Sequence, residues 1–429
     1  MGMGGTQRAA KFVKYLPEFG WQPEVITVKN VAYYAHDKSL EHDVFDADII
    51  RTGSLDPQRI LAKCGVKSVP GRINERVEGM KSAKVSSLKL LTEKLFPFFL
   101  VPDTKVLWLP FVLARATSRL RRNKFDAVFT TSPPHSVHLA GLFLRNHFGI
   151  PWIADFRDRW IGGEFQRDAS VVHARLNTHM QKCVLRHADA VVGVSNGLAR
   201  DLSACENTTS EKYNTITNGF DRNDFKSALT GQHKKSHFVI CHCGAVTSTS
   251  DPIPFLKGLR YALDEKPGLK NTVLVEFVGH VLFNKMYEII EQLGLTKNVR
   301  LCGYKSHLNA IAHLKHADVL LLSISERVTS GFIPGKLFEY FGARKPILAI
   351  APPGETVDLL SKSSIAQVIW PPEPSKVGHA ILNLVTKKNQ TLFNKYDESF
   401  IESFERRTLS KKLADVFESA VVNKLDIKN

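Results

Sequence analysis

The sequence predicts an α/β protein of two domains, each a parallel sheet covered by helices on both faces. Three observations carry this. A chain of 429 residues is too long for one ordinary core. Apolar runs such as Val319–Leu322 and Val275–Gly279 show no period-two alternation, as befits strands buried on both faces. The strand-and-helix alternation also runs twice, broken by a polar stretch at residues 231–236. At 43% hydrophobic and 23% charged, the chain is globular rather than disordered. The domains are therefore 1–230, 237–386 and a helical tail at 387–429.

In order, Gly4-Gly5 opens an amphipathic helix that ends at Gly20, and Trp21–Val28 and Asp46–Arg51 read as strands. In a doubly wound domain a Gly-rich turn follows the first strand, yet nothing precedes Gly4-Gly5 to form one. A start placed too late, a trimmed chain or a sheet that lacks the strand would each account for this. Arg59–Lys124 carries 15 Lys/Arg against 4 Asp/Glu, which is +11 of the formal +16. Its apolar residues, Phe96, Phe98, Phe99 and Trp108 among them, interleave with cations. That pattern suits an anionic membrane interface. It also suits a helical insertion packed on its own domain.

Phe125–Thr131 reads as a strand, followed by Pro133-Pro134 and by His135 and His138 one turn apart. Residues after a strand's carboxyl end face the ligand side of such a domain, so His135 is a candidate contact, with a helix-cap role the alternative. Ile150–Asp155 delivers Asp155, Arg157, Asp158 and Trp160 to the same end. Two carboxylates around an arginine suggest tuned ionisation; a structural Asp–Arg pair is the other reading, and the spacing argues against a metal-binding DxD. A helix over 169–187, a strand over 188–195, a helix from Asn196 and the turn Asn218-Gly219 complete the domain.

The second domain predicts strands at 237–244, 272–279, 299–303, 317–323, 345–350 and 366–370, with helices between them. Its richest stretch is Ser330–Ile350. Gly331, Pro334 and Gly335 make a turn into a short helix with Leu337, Phe338, Phe341 and Ala343 on its apolar side. A Gly-rich turn at a helix start offers backbone N–H groups and the dipole's positive end to an anion. Lys336 adds a cation, and Glu339 lies one turn on, on the same face. A carboxylate beside a phosphate cradle suits two ribose hydroxyls. An ordinary surface Lys–Glu pair is the alternative.

The six cysteines show no CxxC spacing. Alternation puts Cys241 and Cys243 on one face of a strand, so core packing is preferred to zinc, and reduced cytosolic thiols fit. No apolar run reaches about 18 residues, and Met1–Ala10 is polar and Gly-rich, unlike a signal peptide. The expected location is cytoplasmic, with peripheral attachment to the inner face of the membrane through the basic segment. A basic nucleic-acid-binding protein is a rival reading, but no base-reading helix or RNA motif is visible.

Ser330–Ile350, together with Asp155–Asp158 and the turn at Asn218-Gly219, resembles the retaining nucleotide-sugar-dependent glycosyltransferases of the GT-B fold, family 4, especially those of exopolysaccharide and lipopolysaccharide assembly. Their signature has two glutamates separated by seven residues, then a small-residue helix and a Lys-Pro-Ile strand. Glu339 matches the second glutamate, the ribose ligand, and Gly331 stands at the first. Arg159 replaces the usual proline after Asp158, and the loop from Gly244 to Asp251 lacks the usual cations. The resemblance implies two Rossmann-like domains facing across a cleft, with C-terminal helices crossing back to the first. It implies transfer of a sugar from a nucleoside diphosphate sugar to a glycan or lipid-linked acceptor, with no metal or other cofactor. Donor contacts fall on Gly4, Gly5, Arg8, Thr247, Gly279, Gly331, Gly335, Lys336 and Glu339. The transfer centre falls on Asp155, Asp158 and Lys336, and the acceptor contacts are His135 and Arg157. A non-transferring relative such as a sugar-nucleotide epimerase is the alternative.

Overall fold

The computed structural model describes residues 4–29, 39–56, 100–162, 170–206, 211–228, 237–283, 285–386 and 396–426. Phe96, Phe98, Phe99 and the polar stretch 231–236 lie outside them. The chain divides into two compact units. The first runs to Thr217 and takes in Ser410 onward, and the second is mainly Asn218–Leu409.

The first unit opens with α1 (Gly4–Tyr15), which buries Ala10 and Phe12. One 3₁₀ turn follows, closed by Gly20 at φ +82°, a left-handed cap that glycine adopts without Cβ strain. Strand β1 (Glu24–Val28), helix α2 (Ser39–His42) and strand β2 (Asp48–Thr52) come next. The two strands pair in parallel, Val25 opposite Ile49. Helix α3 (Leu109–Arg122) carries Arg119, Arg121 and Arg122 in its last turn, where cations complement the helix dipole. Arg119 ties α3 to Glu24 of β1. Trp108, grouped in sequence with the aromatics of the basic segment, donates its indole N–H to Thr52 Oγ1 at 2.7 Å, as a packed insertion would.

The main sheet of this unit has β3 (Val128–Ser132), β4 (Trp152–Phe156), β5 (Ala190–Gly193) and β6 (Tyr213–Thr215) in that order, all parallel. Helices α4 (Val137–Phe148), α5 (Val171–His187) and α6 (Asn196–Ala204) connect them. Trp152, Phe156, Trp160, Val184, Leu185 and Val191 form the core. The strand β6 was not predicted: its Tyr-Asn-Thr has no apolar run, and its pairing with β5 is a tertiary fact. Among the described residues β1–β2 and β3–β6 are separate sheets.

Gly141 on α4 lies against Trp152, so an added Cβ would overlap the indole nitrogen. That nitrogen donates to Thr130 Oγ1 at 2.8 Å, so the ring cannot swing away freely. Gly141→Ala is expected to destabilise the protein by about 1–3 kcal/mol. The measurement is a lower urea midpoint at unchanged slope.

In the second unit α7 (Arg222–Ser227) precedes β7 (Phe238–Cys243), α8 (Ile253–Glu265), β8 (Val273–Val278), α9 (Met286–Gln292), β9 (Val299–Gly303) and α10 (His307–His316). Then come β10 (Val319–Ser323), α11 (Lys336–Ala343), β11 (Ile347–Ile350), α12 (Glu355–Ser363), β12 (Ala366–Ile369), α13 (Pro374–Thr386) and α14 (Glu398–Glu402). All six predicted strands form one parallel sheet in the order β12-β11-β10-β7-β8-β9. The order reverses at β7, and ligands of open α/β sheets bind outside the carboxyl ends at such a point. Ile240, Val275 and Leu321 face one core, and Val239, Cys241, Cys243 and Leu320 face the other. The two sulfurs share a face, as alternation required. His242 sits on the opposite face near Phe277, so the three side chains do not converge on a metal.

The last helix, α15 (Arg406–Asp426), belongs to the first unit from Ser410 onward. There Phe417 packs edge-on to Trp21 at 4.9 Å, and Lys424 donates to the Ile150 carbonyl at 2.9 Å. No helix among the described residues is long and apolar enough to cross a membrane.

Candidate functional site

In the second unit, neighbouring strands β7, β8 and β9 run out into Gly244, Gly279 and Gly303, with φ of +121°, +143° and +66°. At Gly244 and Gly279 the requirement is also steric. A Cβ on Gly279 would overlap the Gly244 carbonyl, and one on Gly244 would lie 2.9 Å from Lys336 Cε. The turn is thus pared to backbone, and the lysine stem lies across it. Lys336 is the first residue of α11, with Gly335 at the N-cap.

Lys336 Nζ donates to His242 Nε2 at 2.9 Å. His242 Nδ1 lies 3.1 Å from the Leu321 carbonyl, which can only accept, so Nδ1 carries the proton and Nε2 is free to accept from the ammonium. Burial, followed by the Lys336 charge, drives the His242 pKa well below its ordinary value, so this ring is neutral. Burial lowers the Lys336 pKa to about 8, against the opposing influence of Cys243 and Glu339. The helix is pinned from below by Tyr340, whose hydroxyl donates to the Leu321 carbonyl at 3.0 Å and accepts from the Cys243 amide at 2.9 Å.

Glu339 Oε1 lies 3.6 Å from His307 Nδ1, and His307 Nε2 lies 3.0 Å from Asp224 Oδ2. The Glu339 side chain keeps 18% of its surface exposed, so a carboxylate remains available to a ligand. Thr247 shares its hydroxyl with Thr249 at 2.8 Å. Gly331 lies in the turn before α11 beside Ser330, whose carbonyl accepts from the Glu355 amide at 2.8 Å. Past β8 and β9, His280 and Tyr304 stack at 5.1 Å and 16°, giving this end a paired aromatic surface.

In the first unit the predicted residues separate. Asp155 and Arg8 are both fully buried. Asp155 Oδ1 accepts from Arg8 at 2.7 Å, while Oδ2 accepts from Arg8 Nε at 3.1 Å and from the Thr131 hydroxyl at 2.6 Å. Arg8 also donates to the carbonyls of Ile216 and Thr217 at 2.8 and 2.7 Å. Both carboxylate oxygens are engaged inside the protein, and the guanidinium is spread over three partners. This geometry makes the pair a buried clamp joining α1, β4 and the end of the domain. It replaces the expectation of a donor-binding Arg8 and a reacting Asp155.

Arg157 donates from Nε to the Ser132 carbonyl at 2.7 Å and from its terminal nitrogen to the Pro133 carbonyl at 2.6 Å. Its guanidinium occupies the space that a Cβ on Gly5 would need, which explains a glycine there without a ligand; Gly4 is the first residue of the same helix. Asp158 is exposed. Protein around its carboxylate raises its pKa, with Arg157 opposing. His135 is 7% exposed and stacks on Trp160 at 5.2 Å. Burial lowers its pKa to about 4, so the expected acceptor contact is a neutral ring packed in the core.

The sequence reading missed His242, His307 and Asp224. His242 had a signal: it stands two residues before the Gly244 turn, at a strand's carboxyl end, where His135 was noticed for the same reason. His307 and Asp224 had none, since both reach Glu339 only through the fold.

The family described as glycosyl transferase 4-like domain matches residues 3–219, about half the chain. Among solved structures, the chain is similar to a glycosyltransferase from Rickettsia africae, with TM-score 0.63 and 14% identity over 98% of this chain and 96% of that one. It is similar to the Anabaena protein HepE in complex with UDP and glucose, with TM-score 0.61 and 14% identity over 97% and 96% of the two chains. It is also similar to sucrose-phosphate synthase from Thermosynechococcus elongatus, with TM-score 0.58 and 14% identity over 95% and 91%. Comparison with curated proteins gives no match. At such identities the likeness speaks for the fold, which is that of the GT-B glycosyltransferases. With residues 3–219 matched, the chain belongs to the glycosyl transferase 4-like family.

Proposed function

We propose that this protein transfers a sugar, with retention, from a nucleoside diphosphate sugar to a glycan or lipid-linked acceptor of cell-surface polysaccharide synthesis. The observation that carries the donor half is the Lys336 ammonium, held across the Gly244 turn at the start of α11 with Glu339 one helical turn away. A cation, a helix start and bare backbone suit a diphosphate. The partly exposed carboxylate suits the ribose, and the stacked His280–Tyr304 surface suits a base. HepE holds UDP in its complex, which makes UDP-sugars the first donors to test. The test is a donor panel read out by released nucleotide, with membrane extract as acceptor. Release that needs no acceptor would instead support a hydrolysing or epimerising enzyme. The reading includes no metal, so turnover is expected to survive EDTA.

Glu339→Gln is expected to weaken nucleotide binding by about 1–3 kcal/mol, read by calorimetry. Unchanged affinity would remove Glu339 from the site. Asp158, exposed at the end of β4, is the first-unit carboxylate we assign to the transfer step. Asp158→Asn is expected to lower turnover with the melting temperature unchanged.

The basic segment is read as an attachment to anionic lipid at the inner face of the membrane. Arg115, Arg121 and Arg122 lie on α3, and each cation near such a surface contributes about 1 kcal/mol. Co-sedimentation with anionic liposomes, weakened by salt and reduced in Phe98→Ser, Phe99→Ser, is the expected result. No binding by folded protein would reject the attachment.

A further inference from the structure

The donor reading leaves open why Lys336 points where it does. A lysine stem has four rotatable bonds, and a helix's first residue has no preceding turn to pack on. Two features fix it here. Gly244 leaves room for the stem, since a Cβ there would stand 2.9 Å from Lys336 Cε and 3.1 Å from Nζ. His242 supplies an acceptor at 2.9 Å. That acceptor exists only in one tautomer, and the fold selects it: the opposite tautomer would set a nitrogen lone pair against the Leu321 carbonyl at 3.1 Å. The ring is 1% exposed and packs near Phe277, so it cannot turn to water.

We propose that His242 is a positioning residue for Lys336, holding its ammonium over the Gly244 turn in the direction a donor diphosphate would occupy. The proposal rests on the donor reading above and adds a residue to it. The logic is that of a ligand oriented by a second group: the carbonyl of Leu321 sets the imidazole, and the imidazole sets the cation. The titratable groups facing the ammonium are His242 and Cys243 from β7 and Glu339 from its own helix. Burial pushes the Cys243 thiol up to about 12, so it stays neutral. A hydrogen bond accepted from the charged form of a lysine favours that form. His242 therefore keeps Lys336 protonated against its burial.

The experiment begins without any ligand. Nitrogen-15 NMR of the wild-type protein is expected to find His242 neutral, with Nδ1 protonated and Nε2 bare, between about pH 6 and pH 8. An Nε2-protonated or doubly protonated ring would overturn the proposal. The Lys336 ammonium signal, assigned by its loss in Lys336→Arg, is then titrated in wild type, His242→Gln and His242→Leu. The wild-type midpoint is expected near 8. His242→Leu should lower it by about one pH unit, while His242→Gln, whose amide can both donate to Leu321 and accept from Lys336, should restore it. UDP and uridine binding are compared by calorimetry at about pH 9, above both midpoints, where one unit of midpoint is about a tenfold change in the charged fraction of the lysine. There His242→Leu should weaken UDP about tenfold and leave uridine unchanged. A leucine variant with the wild-type midpoint and wild-type discrimination would overturn the proposal. If Lys336→Ala itself leaves UDP discrimination intact, the donor reading fails, whereas the ligand-free titration still decides whether His242 holds the lysine.

Discussion

Lys336→Ala is expected to lower turnover about a hundred- to a thousandfold, the range seen when one preorganised charge-stabilising donor is removed. The loss should fall on the diphosphate and spare the nucleoside, so uridine binding is expected to be unchanged. Equal losses for uridine and UDP would instead place the damage in the fold of α11. Tyr340 makes that outcome unexpected, because its hydroxyl anchors the helix to β7 and β10 without help from the lysine. The same residue predicts a pH dependence. Burial brings the Lys336 pKa down to about 8, so the cation is present below that pH and lost above it. The free enzyme's pKa governs kcat/KM, which should fall as pH rises through about 8. A bound diphosphate favours the protonated form, so kcat should fall at higher pH than kcat/KM. In Lys336→Arg this alkaline limb should disappear, because arginine stays charged.

The second large effect concerns stability. Asp155→Ala is expected to cost about 3–5 kcal/mol, the usual penalty for leaving one member of a buried pair without its partner. Arg8 would keep its carbonyl partners Ile216 and Thr217 but strand a fully buried positive charge. The Thr131 hydroxyl would also lose its acceptor. The check is denaturant unfolding with near-ultraviolet circular dichroism. Replacing both members, in Arg8→Met, Asp155→Leu, should recover much of the loss, since paired apolar groups of similar size cost little compared with one orphaned ion. This experiment also decides between clamp and catalyst. A variant of Asp155 that folds at wild-type stability yet is inactive would return the carboxylate to the transfer centre.

The strands of the second unit could be read from the sequence because each is a local signal. Runs such as Val319–Ser323 and Ile347–Ile350 are apolar on both faces, and a parallel sheet buries both. The Gly331–Gly335 turn and the short helix after it were equally plain. So was the sharing of one face by Cys241 and Cys243, which follows from period two alone. The three-residue β6 was not, since nothing in Tyr-Asn-Thr distinguishes a strand from a loop until β5 is beside it.

Side-chain roles divided along the same line. Glycine next to a helix start reads as a phosphate turn, but Gly5 is also the room that the Arg157 guanidinium takes up. Two aspartates around an arginine read as a reactive cluster. The fold sends Asp155 inward to Arg8, 147 positions away in sequence, and leaves Asp158 outside. His135 read as a contact, and stacking on Trp160 makes it a core residue. By itself the sequence determined which residue types stand at the carboxyl ends of the strands, because strand, turn and helix start are set by neighbours along the chain. Only the tertiary structure decided which of them are spent on the protein and which remain for a ligand. A hydrogen bond is made across space, as between Lys336 and His242, 94 positions apart, and a polar group buried with its partners satisfied has nothing left to offer.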